Sequence, residues 1–157
     1  MAKFVITHEI KCNKEQFWKL FWDKAFIEKM YREELGYRAY EIREQSETER
    51  KVDLAPNWSL PGPMRSRFSL SEEGELTRGS GIWRWRATPS ILADKIRLDG
   101  TMRLEPISST SVRRIGDLQV EATVPIVDLL LESSFETRLR AEWSRTASYM
   151  SKHLSMK

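Results

Sequence analysis

The last thirty residues constrain this chain more than any other stretch. From Pro125 to about Leu154 the helical pattern is unbroken, and neither Pro nor Gly occurs after Pro125. Pro suits a first helical position, where its missing N–H costs nothing. Val127, Leu131, Phe135, Leu139, Trp143, Ala147, Met150 and Leu154 recur at spacings of four and three, so they share one stripe. At roughly 1.5 Å per residue the rod is about 40 Å long. That exceeds what a small domain needs for packing alone, so a broad surface must lie under the stripe.

The preceding residues supply one. Lys3 to Lys11 alternates, with Phe4, Ile6, His8 and Ile10 on one side, as in a half-buried strand. Asn13 and Gln16 have capping-box spacing at the start of a helical run. That run reads as two short helices broken near Asp23-Lys24, with a single helix as the alternative, and Gly36 ends it. Strands are expected over Tyr37 to Gln45 and Arg50 to Leu54. Ala55 to Met64 holds three prolines and a glycine and cannot be regular for long. It caps the core or forms a lid at a pocket mouth. Arg65 to Leu70 reads as a short strand or turn, and Ser71 to Gly74 as a turn. Glu75 to Thr88 reads as one long strand, bent at Gly79 and Gly81. Lys95 to Glu105 alternates cleanly, Pro106 to Thr110 is a turn, and Ser111 to Val124 is the last strand. Ile115 breaks its parity, which implies a bulge near Gly116.

The order is strand, helical pair, a run of antiparallel strands, and one long helix. The 157 residues read as a single domain, 1–157. The strand faces away from the core are rich in charge, so one sheet face is wet and the terminal helix covers the other. The opening residues lack signal-peptide architecture and no apolar run reaches membrane-span length, so the expected location is cytoplasmic.

Several chemistries are excluded by what the chain lacks. Cys12 is alone, so no internal disulfide forms, and with only His8 and His153 beside it a zinc site is not expected. No nucleophile constellation or phosphate-cradling loop is present, and no cofactor is expected. The net charge of +3 is small. Arg138, Arg140, Arg145, Lys152 and Lys157 near the end face only Glu142, which is a solvated helix face or a weak attraction to an anionic membrane surface. Nucleic acid is not an expected partner, because the tryptophans sit among apolar residues rather than basic ones.

This order of elements resembles the START-like (SRPBCC, Bet v 1-like) superfamily, whose shape is called the helix grip. More narrowly it is similar to an uncharacterised bacterial branch catalogued as a domain of unknown function. The stretches that carry the resemblance are Phe4–Trp18, Gly100–Pro106 and Val120–Val127, and the likeness extends over essentially the whole chain. The region from Pro56 to Phe68 departs from the pattern, being short and proline-rich. The resemblance implies an α+β fold, a curved antiparallel sheet of about seven strands around the C-terminal helix, with an elongated cavity between them. It also implies a hydrophobic small-molecule partner, such as a lipid, fatty acid, isoprenoid or polyketide.

The expected cavity residues follow. Trp83 and Trp85 share a strand face, and an indole pairs a large apolar surface with one donor. Met102, Phe135 and Leu139 should line the space between sheet and helix, and Trp58 and Met64 the loop above it. For each of them ordinary core packing is the competing reading. His8, Tyr40 and Glu41 are the candidate acids or bases, and only one of Tyr40 and Glu41 can face inward. Three readings compete: a carrier or sensor of a hydrophobic molecule, a cyclase- or dehydratase-like enzyme, and an interaction module without ligand. Two or more polar side chains converging in the cavity favour the enzyme. A cavity below roughly 300 Å³ favours the ligand-free module.

Overall fold

The computed structural model describes residues 1–155. Those residues form seven strands and three α-helices, in the order β1 (Ala2–Ile10), α1 (Lys14–Phe21), α2 (Lys24–Lys29), β2 (Ala39–Gln45), β3 (Glu49–Ala55), β4 (Leu70–Thr77), β5 (Ile82–Pro89), β6 (Ile96–Ser108), β7 (Ser111–Ala122) and α3 (Asp128–Ser155). The strands make one antiparallel sheet in the order β1-β7-β6-β5-β4-β3-β2. The first strand thus pairs with the last, and the short helices carry the chain to the opposite edge.

Local chemistry sets these boundaries. Gln16 N–H donates to Asn13 Oδ1 at 2.8 Å and Asn13 N–H to Gln16 Oε1 at 2.9 Å, completing the capping box. Asp23 accepts from Phe26 N–H at 3.1 Å and opens a separate α2. A π-helical turn, Met30–Glu34, extends α2 before Gly36, at φ 72, ends it. The inward faces of the strands and the stripe of α3 meet in one core, in which Leu131, Phe135, Leu139, Ala147 and Met150 are buried. Glu132, also on α3, accepts from Ala122 N–H at 2.9 Å and pairs with the Met1 amino group at 2.8 Å, tying both strands of the β1–β7 pair to the helix at one end.

Four expectations are corrected. Ser71 to Gly74 is not a turn but lies inside β4. The long strand over Glu75 to Thr88 is a hairpin, because Gly81 adopts φ 68 and its N–H closes the turn on Thr77 O at 2.8 Å. β6 continues through Pro106 to Ser108, with a register shift there that accommodates the missing N–H of proline. No bulge occurs near Gly116: β1 and β7 pair without interruption from Ala2–Val120 to Ile10–Val112. Val112 shares the inner parity with Leu118, Ile115 faces the other way, and the residues on the inner face between Val112 and Leu118 are Arg114 and Gly116.

The terminal helix also starts later than its sequence implies. Pro125 lies in a turn, Ile126 follows at φ 75, and the first helical bond runs from Leu131 N–H to Val127 O at 2.8 Å. A residue in the left-handed region cannot continue a right-handed helix, so Asp128 becomes the first helical position. No described helix is long and apolar enough to cross a membrane. Lys157, counted above among the basic residues of the tail, lies outside the described residues.

Candidate functional site

A cavity of about 120 Å³ lies between the sheet, the short helices and α3. Its apolar wall draws Phe17 and Phe21 from α1, Trp83 and Trp85 from β5, Met102 from β6 and Leu139 from α3. Trp58 closes it from the loop between β3 and β4, and Leu60 and Met64 anchor that loop in the core. The proline-rich segment is therefore a packed cover.

Three indoles owe their positions to glycines on the inner face of the sheet. A Cβ on Gly74 would stand 2.0 Å from the Trp83 ring, one on Gly116 would stand 2.6 Å from Trp143, and one on Gly100 would stand 3.0 Å from Trp85. At Gly74 and Gly116 a side chain would force the ring aside, so each is a seat into which an indole settles against the backbone; at Gly100 the Asp117 carbonyl, 2.8 Å from such a Cβ, is the tighter limit. Trp83 is further held edge-on by Phe21 and Trp22, at centroid distances of 5.1 and 5.7 Å.

The polar lining is richer than an ordinary core allows. Arg50, Glu72, Arg114 and Glu142 all reach the cavity, from β3, β4, β7 and α3. Arg50 donates to Phe21 O and to Gln45 Oε1 and stacks over Phe21, 4.3 Å from its centroid. Arg114 donates to Trp143 O at 2.6 Å and Thr146 Oγ1 at 3.1 Å, and lies 4.5 Å from the Trp143 centroid. Its Nε is buried without a partner among the described residues. Burial pulls the Arg114 guanidinium down to about 10. Glu142 accepts from Tyr37 Oη at 2.5 Å and Trp58 Nε1 at 3.1 Å. Burial nevertheless pushes its carboxyl up to about 7. Glu72 is pushed up to about 7 by burial, with only the Arg50 charge acting against it. Tyr31 and Tyr40 stack face to face at 4.2 Å beside this cluster, and burial holds both hydroxyls far above their ordinary range.

Of the residues expected at the site, Trp58, Trp83, Trp85, Met102, Leu139 and Tyr40 line the cavity. Met64 and Phe135 are fully buried but outside its lining. Glu41 is exposed on the outer side of β2, so Tyr40 is the inward member of that pair. His8 is half-buried on β1, directly opposite Arg114 in register, and does not reach the cavity. Its Nδ1 is buried without a partner among the described residues, and burial, then the Arg114 charge, holds it below its ordinary value. Cys12 is buried and its thiol is raised to about 11, the opposite of an activated cysteine. Among the described residues no group of three His, Cys, Asp or Glu is arranged to hold a metal ion.

Sequence reasoning missed Arg50, Glu72, Arg114 and Glu142. Two of them carried a readable signal: Arg50 shares the parity of Val52 and Leu54, and Arg114 that of Val112 and Leu118. A charge on an apolar parity is either a surface strand or a buried functional group.

A curved antiparallel sheet gripping a long C-terminal helix, with two short helices after the first strand and a cavity between them, is the helix-grip fold of START- and Bet v 1-like structures. Solved structures of the same fold include a protein of Thermus thermophilus, with TM-score 0.70 and 17% identity, over 96% of this chain and 95% of the other. The Zhui aromatase/cyclase of Streptomyces sp. R1128 has TM-score 0.70 at 10% identity, over 97% and 92%. A START superfamily protein from Mycobacterium smegmatis has TM-score 0.66 at 10% identity, over 96% and 97%. The chain itself belongs to the family described as "Protein of unknown function (DUF2505)", whose profile matches residues 5–154. No curated protein matches it.

Proposed function

We propose that the protein binds a small hydrophobic molecule bearing one oxygen-containing polar group, and carries or senses it. The observation that carries this reading is the extensive apolar wall, Trp85, Met102 and Leu139 among its members, on which Tyr31, Tyr40 and Glu72 converge as polar contacts; that convergence serves the enzyme reading as well. Two phenolic donors and a carboxyl that is half protonated near neutral pH suit an oxygen acceptor on the ligand. The apolar part of the ligand would lie against Trp85, Met102 and Leu139.

The cavity volume of about 120 Å³ bears on ligand size. It falls below the roughly 300 Å³ of a drug-sized site and is comparable to the ~150 Å³ that holds benzene. A single ring fits as the cavity stands; a longer chain requires the Trp58 cover to move. Small volume by itself favours a ligand-free module. Against that, a core built only for packing gains nothing from two carboxyls and two guanidiniums, whose burial costs free energy.

A second reading has its own observation. Two carboxyls raised to about 7 on opposite walls, Glu72 on the sheet and Glu142 on α3, are poised as general acid and base. This matches a cyclase- or dehydratase-like enzyme, and the aromatase/cyclase of the same fold makes the class concrete. The membrane contact expected of the basic C-terminal face has weaker support, since Arg140 is engaged by Glu136 and Arg145 by Glu34.

The test is native mass spectrometry of protein purified from its own host, with extraction and identification of any bound molecule. A co-purifying compound with one aromatic or short aliphatic body and one oxygen function is expected. Absence of any bound molecule, together with no binding of hydrophobic probes, would overturn both the carrier and the enzyme readings.

A further inference from the structure

Three large apolar residues, Ile126, Leu129 and Leu130, crowd the turn into α3 at 99%, 72% and 55% exposure. The backbone is strained where it presents them. Ile126 holds φ 75, a region that β-branched residues rarely enter. Strain of this kind persists where the surrounding structure enforces it, and it concentrates at functional positions. The other non-glycine residue with positive φ among those described is Leu92, at φ 57, on the loop between β5 and β6. That loop reaches the same end of the molecule, because Thr123 N–H donates to Lys95 O at 2.8 Å. The loop between β3 and β4 completes this end: Gly62 abuts Val127, and Ser90 N–H donates to Ser69 O at 2.8 Å.

Charge distinguishes the surface further. Arg65, Arg67 and Lys95 lie on these two loops, are exposed, and form no salt bridge with a described residue. Asp94 and Asp128 stand against them, so the end keeps a small positive excess.

We propose that this end docks on an anionic phospholipid bilayer. Ile126, Leu129 and Leu130 enter below the headgroups while Arg65, Arg67 and Lys95 meet lipid phosphates. A second copy of this chain is a poorer occupant. A stable dimer buries about 800 Å² per partner, and three aliphatic side chains on a projecting turn offer far less. The inference stands apart from the cavity's ligand, though Trp58 lies on one of the same loops, so docking would set the cavity's cover against lipid.

The experiment is flotation of the full chain with vesicles of phosphatidylcholine, with and without phosphatidylglycerol. Binding to the anionic vesicles is expected, weaker on neutral ones and weakened by salt. Leu129→Ser with Leu130→Ser should lower the affinity at least about tenfold with an unchanged melting temperature. Ile126→Gly separates docking from folding, since it relieves the φ strain and should raise the melting temperature while still weakening binding. The proposal is overturned if the wild-type chain does not float with anionic vesicles, or if the double variant floats equally well. It is also overturned if the wild-type chain is a dimer in solution that the double variant dissolves, because a second copy would then be the occupant.

Discussion

The Tyr37 hydroxyl donates to Glu142 Oε1 at 2.5 Å, joining the segment before β2 to the middle of α3 across the cavity. Burial is the larger influence on Glu142 and raises it, while the hydrogen bonds from Tyr37 and Trp58 favour the carboxylate and restrain the rise. Tyr37→Phe therefore raises the Glu142 carboxyl beyond about 7. Carboxyl carbon shifts followed by NMR across neutral pH measure this directly. A value that falls in Tyr37→Phe would show that the hydroxyl does not stabilise the charged form.

The same two carboxyls set a pH dependence of stability. Glu72 and Glu142 each rise from 4.5 to about 7 on folding. Between those values the native state binds more protons than the unfolded chain, so stability falls as pH rises through that window and levels off above it. Each pKa unit corresponds to ~1.4 kcal/mol, so the loss is on the order of a few kcal/mol for each carboxyl. His8, held low in the native state, contributes the opposite slope over part of the range. Urea unfolding of Glu72→Gln against wild type isolates the carboxylate effect. The variant's stability should vary less with pH, and an identical slope in both proteins would refute the assignment of Glu72.

The fold was legible because its signals are periodic and local. The α3 stripe from Leu131 onward, the Asn13–Gln16 box and the Asp23 break each rest on residues a few positions apart, and each forms as its spacing implies. The aromatic wall was legible for the same reason, since Trp83 and Trp85 follow strand parity. The polar half of the site was not. Glu72 was hidden because Ser-Glu-Glu-Gly has the composition of a turn, and only the pairing of β4 with β3 and β5 makes it a strand. Arg114 was hidden because its neighbour Ile115, off the apolar parity, reads as a bulge that the unbroken β1–β7 pairing does not contain. Glu142 neighbours the stripe rather than belonging to it, and its partners Tyr37 and Trp58 lie 105 and 84 residues away. Contacts at such separations leave no periodic trace in one sequence.

The glycine seats predict a specific coupling. Gly74→Ala places a methyl group 2.0 Å from the Trp83 ring, so the ring must move and the fold loses stability. Overpacking of this kind typically costs about 1–3 kcal/mol. The cost should largely vanish in a Trp83→Ala background, because the clashing partner is gone. A double-mutant cycle by chemical denaturation reads the coupling. Additive effects would mean that Gly74 is required by the strand backbone and not by the indole.

Trp83 and Trp85 should separate stability from binding. Were Trp83 chiefly a ligand contact, its truncation would weaken hydrophobic-probe binding more than it destabilises the fold. Its surroundings point the other way: it is 4% exposed, seated on Gly74 and flanked by Phe21 and Trp22. Trp83→Ala is expected to cost about 3–5 kcal/mol, as for other buried aromatic truncations. Trp85 lines the same cavity but retains accessible surface. Trp85→Ala should therefore lower probe affinity several-fold at a smaller cost in melting temperature. Probe titration and thermal unfolding of both variants decide the matter, since equal losses of stability would place Trp85 in the core with Trp83 and move the binding surface towards Met102 and Leu139.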